Sequence, residues 1–154
     1  MEPFKNLIGF VRDIEDRLIF ETLEQVFNQF GFVVKDFIIN KQLFREGIDG
    51  TGERIKNRQT GSTSYARTTI RIKISKGQPV DRITLHDSER FVDSITIEGK
   101  PDSLVISSNV VYDKYIFKKY GKDVIRPTAE NLIEFVEKFY IPRLRQRVQN
   151  QLKQ

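Results

Sequence analysis

Two short segments of alternating apolar and polar residues, joined by a turn, constrain the fold of this chain more than any other feature. Ile95 and Ile97 are the apolar positions of the first segment, and Leu104 and Ile106 are those of the second. Residues 99–102, Gly-Lys-Pro-Asp, are rich in turn-forming residues. Apolar residues at every second position, bounded by Gly, Pro, Asn and Ser, are typical of half-buried antiparallel strands. The sequence therefore predicts an antiparallel β-meander at this point of the chain.

Helical periodicity predicts a helix on each side of this sheet. In residues 12–30 apolar side chains recur every three to five residues, acidic residues occupy the first turns, and Gly31 follows as a stop. A second helix is predicted over about 128–152, with Thr128 as its N-cap. Pro142 lacks a backbone donor and should kink that helix. The apolar residues of the first helix are Ile14, Leu18, Leu23, Val26, Phe27 and Phe30.

The predicted fold class is therefore α+β. An antiparallel β-meander packs against an N-terminal helix and a long, kinked C-terminal helix. The length of 154 residues favours a single domain over residues 1–154. An apolar fraction of 38% and an aromatic fraction of 11% are enough to fill its core and argue against disorder.

Two further segments are predicted to be strands. Residues 32–39, Phe-Val-Val-Lys-Asp-Phe-Ile-Ile, are rich in β-favouring residues, although a helix would also tolerate them. In residues 64–76, Ile70, Ile72 and Ile74 alternate with polar residues, which favours a strand. Ser64 at the start of this segment and Lys76-Gly77 at its end are also suitable as the boundaries of a short helix.

The turn-rich segment at about 44–63 is predicted to be a flexible, glycine-rich loop. Its Gly-Ile-Asp-Gly-Thr-Gly run at 47–52 is followed by Glu53-Arg54 instead of the Lys-Ser/Thr pair of a phosphate-binding loop. It also lacks the distal bidentate Glu that a calcium loop requires. The glycines are better explained as residues that supply positive φ angles.

No catalytic or metal-binding constellation stands out in the sequence. His86 is the only histidine, and the adjacent residues of His86-Asp87-Ser88 cannot adopt the converging geometry of a catalytic triad. The chain has no Cys, so a disulfide framework and a thiolate metal site are excluded. Asp87 or Ser88 is instead predicted to cap a short helix, Glu89 to Val92, with Phe91 packed onto the meander. We therefore predict neither an enzyme nor a bound metal or cofactor.

Charge is distributed unevenly along the chain, whose net charge is +5. Residues 2–24 carry six acidic and three basic residues, whereas residues 41–76 carry nine basic and three acidic ones. The last twelve residues carry four basic residues and no acidic one. This distribution indicates either a basic surface that meets phosphate or an acidic protein, or an ordinary solvated face. The candidate DNA- or partner-facing residues are Arg54, Lys56, Arg58, Arg67, Arg71 and Lys73.

Residues 112–120 interleave tyrosines with lysines. This pattern is found where bases stack on aromatic rings, and also where core aromatics alternate with lysines that extend to solvent. The helical spacing of Tyr112, Ile116 and Tyr120 favours the second interpretation. Together with the basic C-terminal helix, this segment supplies the predicted oligomer contacts Tyr115, Phe117, Arg143, Arg145 and Arg147.

From Asp87 onward the chain resembles the tail-completion or neck (head–tail joining) proteins of tailed bacteriophages, of the Mu-like virion-morphogenesis type. The resemblance rests on Ser-Glu-Arg-Phe-Val-Asp-Ser-Ile at 88–95, Val-Tyr-Asp-Lys-Tyr at 111–115, Tyr120-Gly121 and Arg126-Pro127. The family usually has Gly in the turn where this chain has Glu89.

This resemblance implies a structural protein of the virion, assembled in the host cytoplasm. It would form a homo-oligomeric ring at the head–tail junction, joining portal, neck or tail-tube proteins around the DNA channel. Contact with DNA would be non-specific, and no membrane is involved because the longest apolar runs are only a few residues. The alternative is a small basic protein that binds nucleic acid without sequence specificity.

Overall fold

A two-stranded antiparallel sheet, a long N-terminal helix and a bent C-terminal helix make up the fold, which confirms the predicted α+β class. The structure is a computed structural model that describes the backbone of residues 2–153 and the side chains of residues 15–153. The elements are α1 (Glu2–Asp36), a π-helical segment (Phe37–Glu46), α2 (Arg67–Ser75), α3 (Arg90–Asp93), β1 (Ile95–Gly99), β2 (Leu104–Ser108), α4 (Asp113–Tyr120), a 3₁₀ turn (Lys122–Ile125), α5 (Ala129–Phe135), a π-helical turn (Val136–Tyr140) and α6 (Ile141–Leu152).

The predicted meander is a hairpin of β1 and β2. Its register pairs Ile95 with Ser108 and Gly99 with Leu104. The inner face of β1 packs against α1, and the side-chain amide of Asn28 in α1 meets the backbone of Gly99. Asn28 Oδ1 accepts from the Gly99 N–H at 2.9 Å, and Asn28 Nδ2 donates to the Gly99 carbonyl at 3.3 Å.

The N-terminal helix is longer than predicted, because Gly31 does not end it. Gly31 lies inside α1 against β1, where a Cβ atom would come within 3.1 Å of Ile97 Cγ2. The glycine thus allows close contact between helix and strand. Leu18, Val26 and Phe27 are buried, as the periodicity predicts, and the side chain of Ile14 lies outside the described residues.

The strand predicted at 32–39 is wrong, because these residues continue α1 into the π-helical segment. Val34 and Ile38 are buried four residues apart, and Leu43 is buried on the following turn, whereas Phe32 is exposed. Four-residue spacing of buried side chains belongs to a helix. The helical apolar stripe of residues 18–30 therefore extends through this segment.

Aromatic stacking joins the two long helices. The ring of Phe135 stacks on that of Phe27 with the centroids 5.0 Å apart, and Phe139 lies 5.0 Å from Phe30. The Thr128 hydroxyl accepts from the backbone N–H of Asn131 at 3.3 Å, which confirms the predicted N-cap. The predicted bend is also present. A π-helical turn ends at Tyr140, two residues before Pro142, whose ring disrupts regular α-helical bonding.

The strand favoured for residues 64–76 is also wrong, since this segment contains α2. Lys73 is buried and Ile70 half-buried, three residues apart, while Ile72 and Ile74 face solvent. The buried side of the helix therefore combines Ile70, from the face that a strand would bury, with Lys73, from the face that a strand would expose.

The predicted short helix is present as α3, and Phe91 is buried in the core beside Ile95. Neither Asp87 nor Ser88 caps it, contrary to the prediction. Its N-cap residue is Glu89, which makes no side-chain capping bond and has a φ of +60°.

The segment predicted to be a glycine-rich loop lies against the C-terminal half of the chain. Ile55 is buried in the core, and the N–H of Gly50 donates to the carbonyl of Asp123 at 2.8 Å. The N–H of Arg58 donates to the carbonyl of Lys119 at the same distance. These bonds position the basic residues of the loop next to α4.

Candidate assembly surfaces and a cavity beside α2

The C-terminal helix α6 is fixed to α1 by Arg147. Its guanidinium donates to Thr22 Oγ1 at 3.0 Å and lies 3.3 Å from the Glu21 carboxylate. The Tyr140 hydroxyl donates to the carbonyl of Ile19 at 3.3 Å. Arg147, predicted to be an oligomer contact, is therefore used within the chain.

One side of α6 is apolar and becomes more exposed towards its end. Leu144 is half-buried, whereas Val148 is 39% exposed and Leu152 is 82% exposed. At 3.6 residues per turn, Arg145 lies on the same side of the helix and Arg143 on the opposite side. We call the group Arg145, Val148 and Leu152 the basic α6 face.

A second exposed helical face lies on α1. Ile19 and Phe20 are exposed, and Glu15 and Asp16 precede them by three to five residues, which places all four on one side of the helix. We call this group the acidic α1 face. Each of the two faces contains exposed apolar residues, and the charged residues of the two faces have opposite sign.

The predicted contacts in α4 differ in accessibility. Tyr115 is largely exposed, whereas Phe117 is half-buried and packs edge-on against Phe91 with centroids 6.0 Å apart. Tyr115 is thus accessible to a partner, and Phe117 serves mainly the core.

The six basic residues predicted to face DNA or a partner are not one surface. Arg67 and Arg71 are exposed on α2, one helical turn apart, and Lys73 is buried. The other three interact within the chain: Arg54 with the Asp81 carbonyl (3.4 Å), Lys56 with Glu53 (3.8 Å) and Arg58 with Asp123 (3.8 Å). Exposed pairs of this kind contribute at most about 1 kcal/mol, so they leave these side chains able to exchange partners.

A cavity of about 570 Å³ with both apolar and polar walls lies beside α2, and Lys73 is part of its lining. The Lys73 ammonium donates to the carbonyl of His86 at 2.8 Å and to Gln78 Oε1 at 3.1 Å, and it lies 4.8 Å from the centre of the Tyr65 ring. A buried ammonium requires such partners, because an unpaired charge in the interior is very costly. Lys73 therefore holds α2 onto the 78–86 segment, and its predicted role in facing DNA is wrong.

His86 adjoins this network and is buried beside Phe44, with ring centroids 5.1 Å apart. Its Nε2 has no hydrogen-bond partner among the described residues. Burial lowers the pKa of His86 and outweighs the backbone bond to Ile39 and the Glu89 charge, which act in the opposite direction. The imidazole is thus held in its neutral form in the folded protein near neutral pH.

Two residues that line the cavity have strained backbones. Leu85 has a φ of +56° and Glu89 a φ of +60°, in the left-handed region that favours glycine. The sequence pattern does not predict this cavity. The burial of Lys73 follows only if residues 67–75 are placed on a helix, where Ile70 and Lys73 share a face.

Comparison with known proteins found no family model, curated protein or solved structure that matches the chain. None of the helices in residues 2–153 is both long and apolar enough to cross a membrane. Among the described residues, no group of three or more His, Asp or Glu side chains is placed to hold a metal ion.

Proposed function

We propose that this chain is a self-assembling structural subunit of a tailed-bacteriophage virion, a tail-completion or neck protein that forms a ring at the head–tail junction. The observation that carries the proposal is that one chain presents two unlike exposed faces, the acidic α1 face and the basic α6 face. Contact between unlike faces of successive copies generates a ring when the rotation closes.

Charge and apolar area both favour this pairing. Arg145 on one copy would meet Glu15 and Asp16 on the next, while Val148 and Leu152 would cover Ile19 and Phe20. Burying exposed apolar side chains drives association, and opposite charges fix the register. Because Arg147 already joins α6 to α1 in the same copy, the basic α6 face is held in a defined direction.

The virion role rests on the sequence resemblance from Asp87 onward, whose motifs lie within residues 88–127. In the structure the residues of these motifs lie in or beside α3, the hairpin, α4 and the 3₁₀ turn. Glu89 departs from the resembled family, which usually has Gly in that turn, and its φ of +60° lies in the region that Gly adopts without strain.

A second candidate function is that of a free protein that binds nucleic acid without sequence specificity. Arg67 and Arg71 favour it, because they are exposed one turn apart on α2 and could contact successive phosphates. In the ring these same residues would be available to DNA in the channel.

The test is the mass of the purified protein by light scattering at 50 mM and 500 mM salt, with and without duplex DNA. Self-association without DNA is expected, and Arg145→Glu should abolish it. Adding Asp16→Lys to Arg145→Glu should restore it by exchanging the charges. Arg143→Glu, on the opposite side of α6, is the matched control and should leave the mass unchanged.

A monomer at all concentrations, or an oligomer indifferent to Arg145→Glu, would refute the proposed interface. A monomer that binds DNA tightly at low salt, with affinity falling steeply as salt rises, would establish the second candidate instead. Arg67→Glu with Arg71→Glu should then abolish binding.

A further inference from the structure

The two edges of the hairpin differ in whether their outward backbone groups have hydrogen-bond partners. Backbone bonds between Lys100 and Ser103 close the turn, at 2.8 and 3.4 Å. Because hydrogen-bonded and non-hydrogen-bonded pairs alternate in an antiparallel ladder, the next pair, Gly99 and Leu104, directs its N–H and C=O groups outward. On the β1 side these groups of Gly99 are bonded to Asn28 of α1.

The corresponding edge of β2 is open. By the same alternation, Leu104, Ile106 and Ser108 direct their backbone N–H and C=O groups away from β1. None of these groups has a hydrogen-bond partner elsewhere in residues 15–153. The edge thus presents a backbone donor and acceptor at every second residue, a spacing of about 6.6 Å that matches another extended chain.

An apolar groove of about 500 Å³ runs beside this open edge. Leu104 and Ile106 form one wall, and Phe117, Ile125 and Leu132 contribute to the other. A chain paired with β2 would direct alternate side chains into the groove and the others to solvent, because successive side chains of a strand point to opposite faces.

The rim of the groove is positively charged. Lys122 and Arg126 line it, and Lys114 and Lys118 line the adjoining hollow. The two acidic residues there are Asp113 and Asp123, and Asp123 is already paired with Arg126 at 3.1 Å. This excess of positive charge favours an acidic ligand over a basic one.

We propose that β2 binds an extended acidic peptide of a partner protein as a third strand. The peptide carries apolar residues at alternate positions, which fill the groove, and acidic residues that face Lys118 and Lys122. Main-chain hydrogen bonds supply affinity and the groove supplies specificity, as in other cases of strand addition. This site is separate from the faces proposed for self-association and does not depend on the virion role.

The test uses a fluorescently labelled pool of eight-residue peptides, with Glu at alternate positions and Val, Ile, Leu or Phe at the others. Fluorescence anisotropy measures binding to the full chain, and amide hydrogen exchange locates it. Binding should slow the exchange of the Leu104, Ile106 and Ser108 amides. The same pool with Lys in place of Glu is the control and should bind at least about tenfold more weakly, a difference of about 1.4 kcal/mol.

Two variants separate strand addition from other modes of binding. Ile106→Pro removes an outward N–H without removing a β1–β2 bond and should abolish binding. Lys118→Glu with Lys122→Glu leaves the backbone intact and should weaken binding at least about tenfold, so it decides the question if Ile106→Pro fails to fold.

The proposal is overturned if the Glu pool does not bind, or if it protects amides outside β2. It is also overturned if the double lysine variant binds as tightly as the original chain. Protection of the β2 amides by rising protein concentration alone, without peptide, would identify a second copy of this chain as the occupant and would equally refute an acidic partner.

Discussion

In α2 and in the β1–β2 hairpin, isoleucines alternate with polar residues, but only the hairpin buries its side chains in the same alternation. In the hairpin Ile95 is 1% exposed and its neighbour Thr96 faces solvent. In α2 Lys73 is 1% exposed, while its neighbours Ile72 and Ile74 are 51% and 63% exposed. The same local alternation thus accompanies a strand in one place and a helix in the other.

The difference shows that an alternating segment needs a partner for its backbone before it becomes a strand. Residues 95–99 have one, because a tight turn brings residues 104–108 alongside. No strand lies beside residues 67–75 in the described structure, so their backbone groups bond within a helix. Lys73 is then the buried side chain, because its surroundings supply hydrogen-bond acceptors for the ammonium.

The largest expected effect is a difference in stability between alanine variants of the isoleucines in the two regions. Ile95→Ala should lower the free energy of unfolding by about 2–5 kcal/mol, because it leaves a cavity in the core. Ile74→Ala is the matched control and should change it by less than about 0.5 kcal/mol, because Ile74 is already largely in solvent. Urea unfolding measures both. Equal losses would mean that Ile74 is buried and would remove the contrast.

The second prediction concerns the buried lysine. Lys73→Met should destabilise the protein by about 1–3 kcal/mol, since it leaves the His86 carbonyl and other buried acceptors unpaired. Arg71→Met, on the exposed side of the same helix, should be nearly neutral. Thermal unfolding of the two variants gives the comparison. A neutral Lys73→Met would show that the acceptors find water, and that Lys73 does not hold α2 in place.

The third prediction tests the helical state of α2 directly. Its N-cap position is Ala66, whose backbone is extended and whose side chain cannot cap. Ala66→Asp should stabilise the protein by about 1 kcal/mol, by accepting a hydrogen bond from the first turn. Ala66→Val is the control without a capping oxygen. If Asp and Val gave the same midpoint in urea, residues 67–75 would not begin a helix there.

The smallest expected effect is the loss of stability when the pH is lowered. Burial lowers the pKa of His86 below its ordinary value of 6.5, so the unfolded chain binds more protons than the folded one between these two pKa values. The stability contributed by neutral His86 is therefore complete above pH 6.5 and declines as the pH falls from there towards the folded-state pKa.

Amide exchange measured between pH 7.5 and 5 should show this decline first in α2, which Lys73 joins to the His86 carbonyl. His86→Gln should remove this component of the pH dependence. An unchanged pH profile in His86→Gln would assign the decline to carboxylates instead.

Local signals were sufficient for part of the fold. The hairpin, the Thr128 cap and the bend at Pro142 were predictable, because each depends on residues within a few positions of one another. Gly31 and residues 32–39 were not, because the contact of Gly31 with Ile97 joins residues 66 positions apart. Tertiary packing decides between helix and strand where local propensity is balanced.

The candidate surfaces also include features that follow from the local sequence and features that depend on tertiary contacts. Arg143, Arg145 and Tyr115, predicted from the sequence to be oligomer contacts, are exposed, and their role as contacts stays a prediction. The inward direction of Arg147 depends on Glu21, which is 126 positions away in the chain. The burial of Lys73 depends on the His86 carbonyl, 13 positions away, which comes close only when residues 67–75 are helical. The open edge of β2 follows from topology, which the alternation of the strands does not reveal.

The stacking of Phe135 on Phe27 has a consequence for how the chain folds as it is made. The apolar side of α1 is synthesised first, but the aromatic rings that cover it, Phe135 and Phe139, come more than a hundred residues later. A growing chain therefore presents an uncovered aromatic stripe until its C-terminal helix emerges. During that interval it depends on chaperones, or on rapid folding once the helix emerges, to avoid aggregation. Exposed apolar surface is what makes partly folded chains associate.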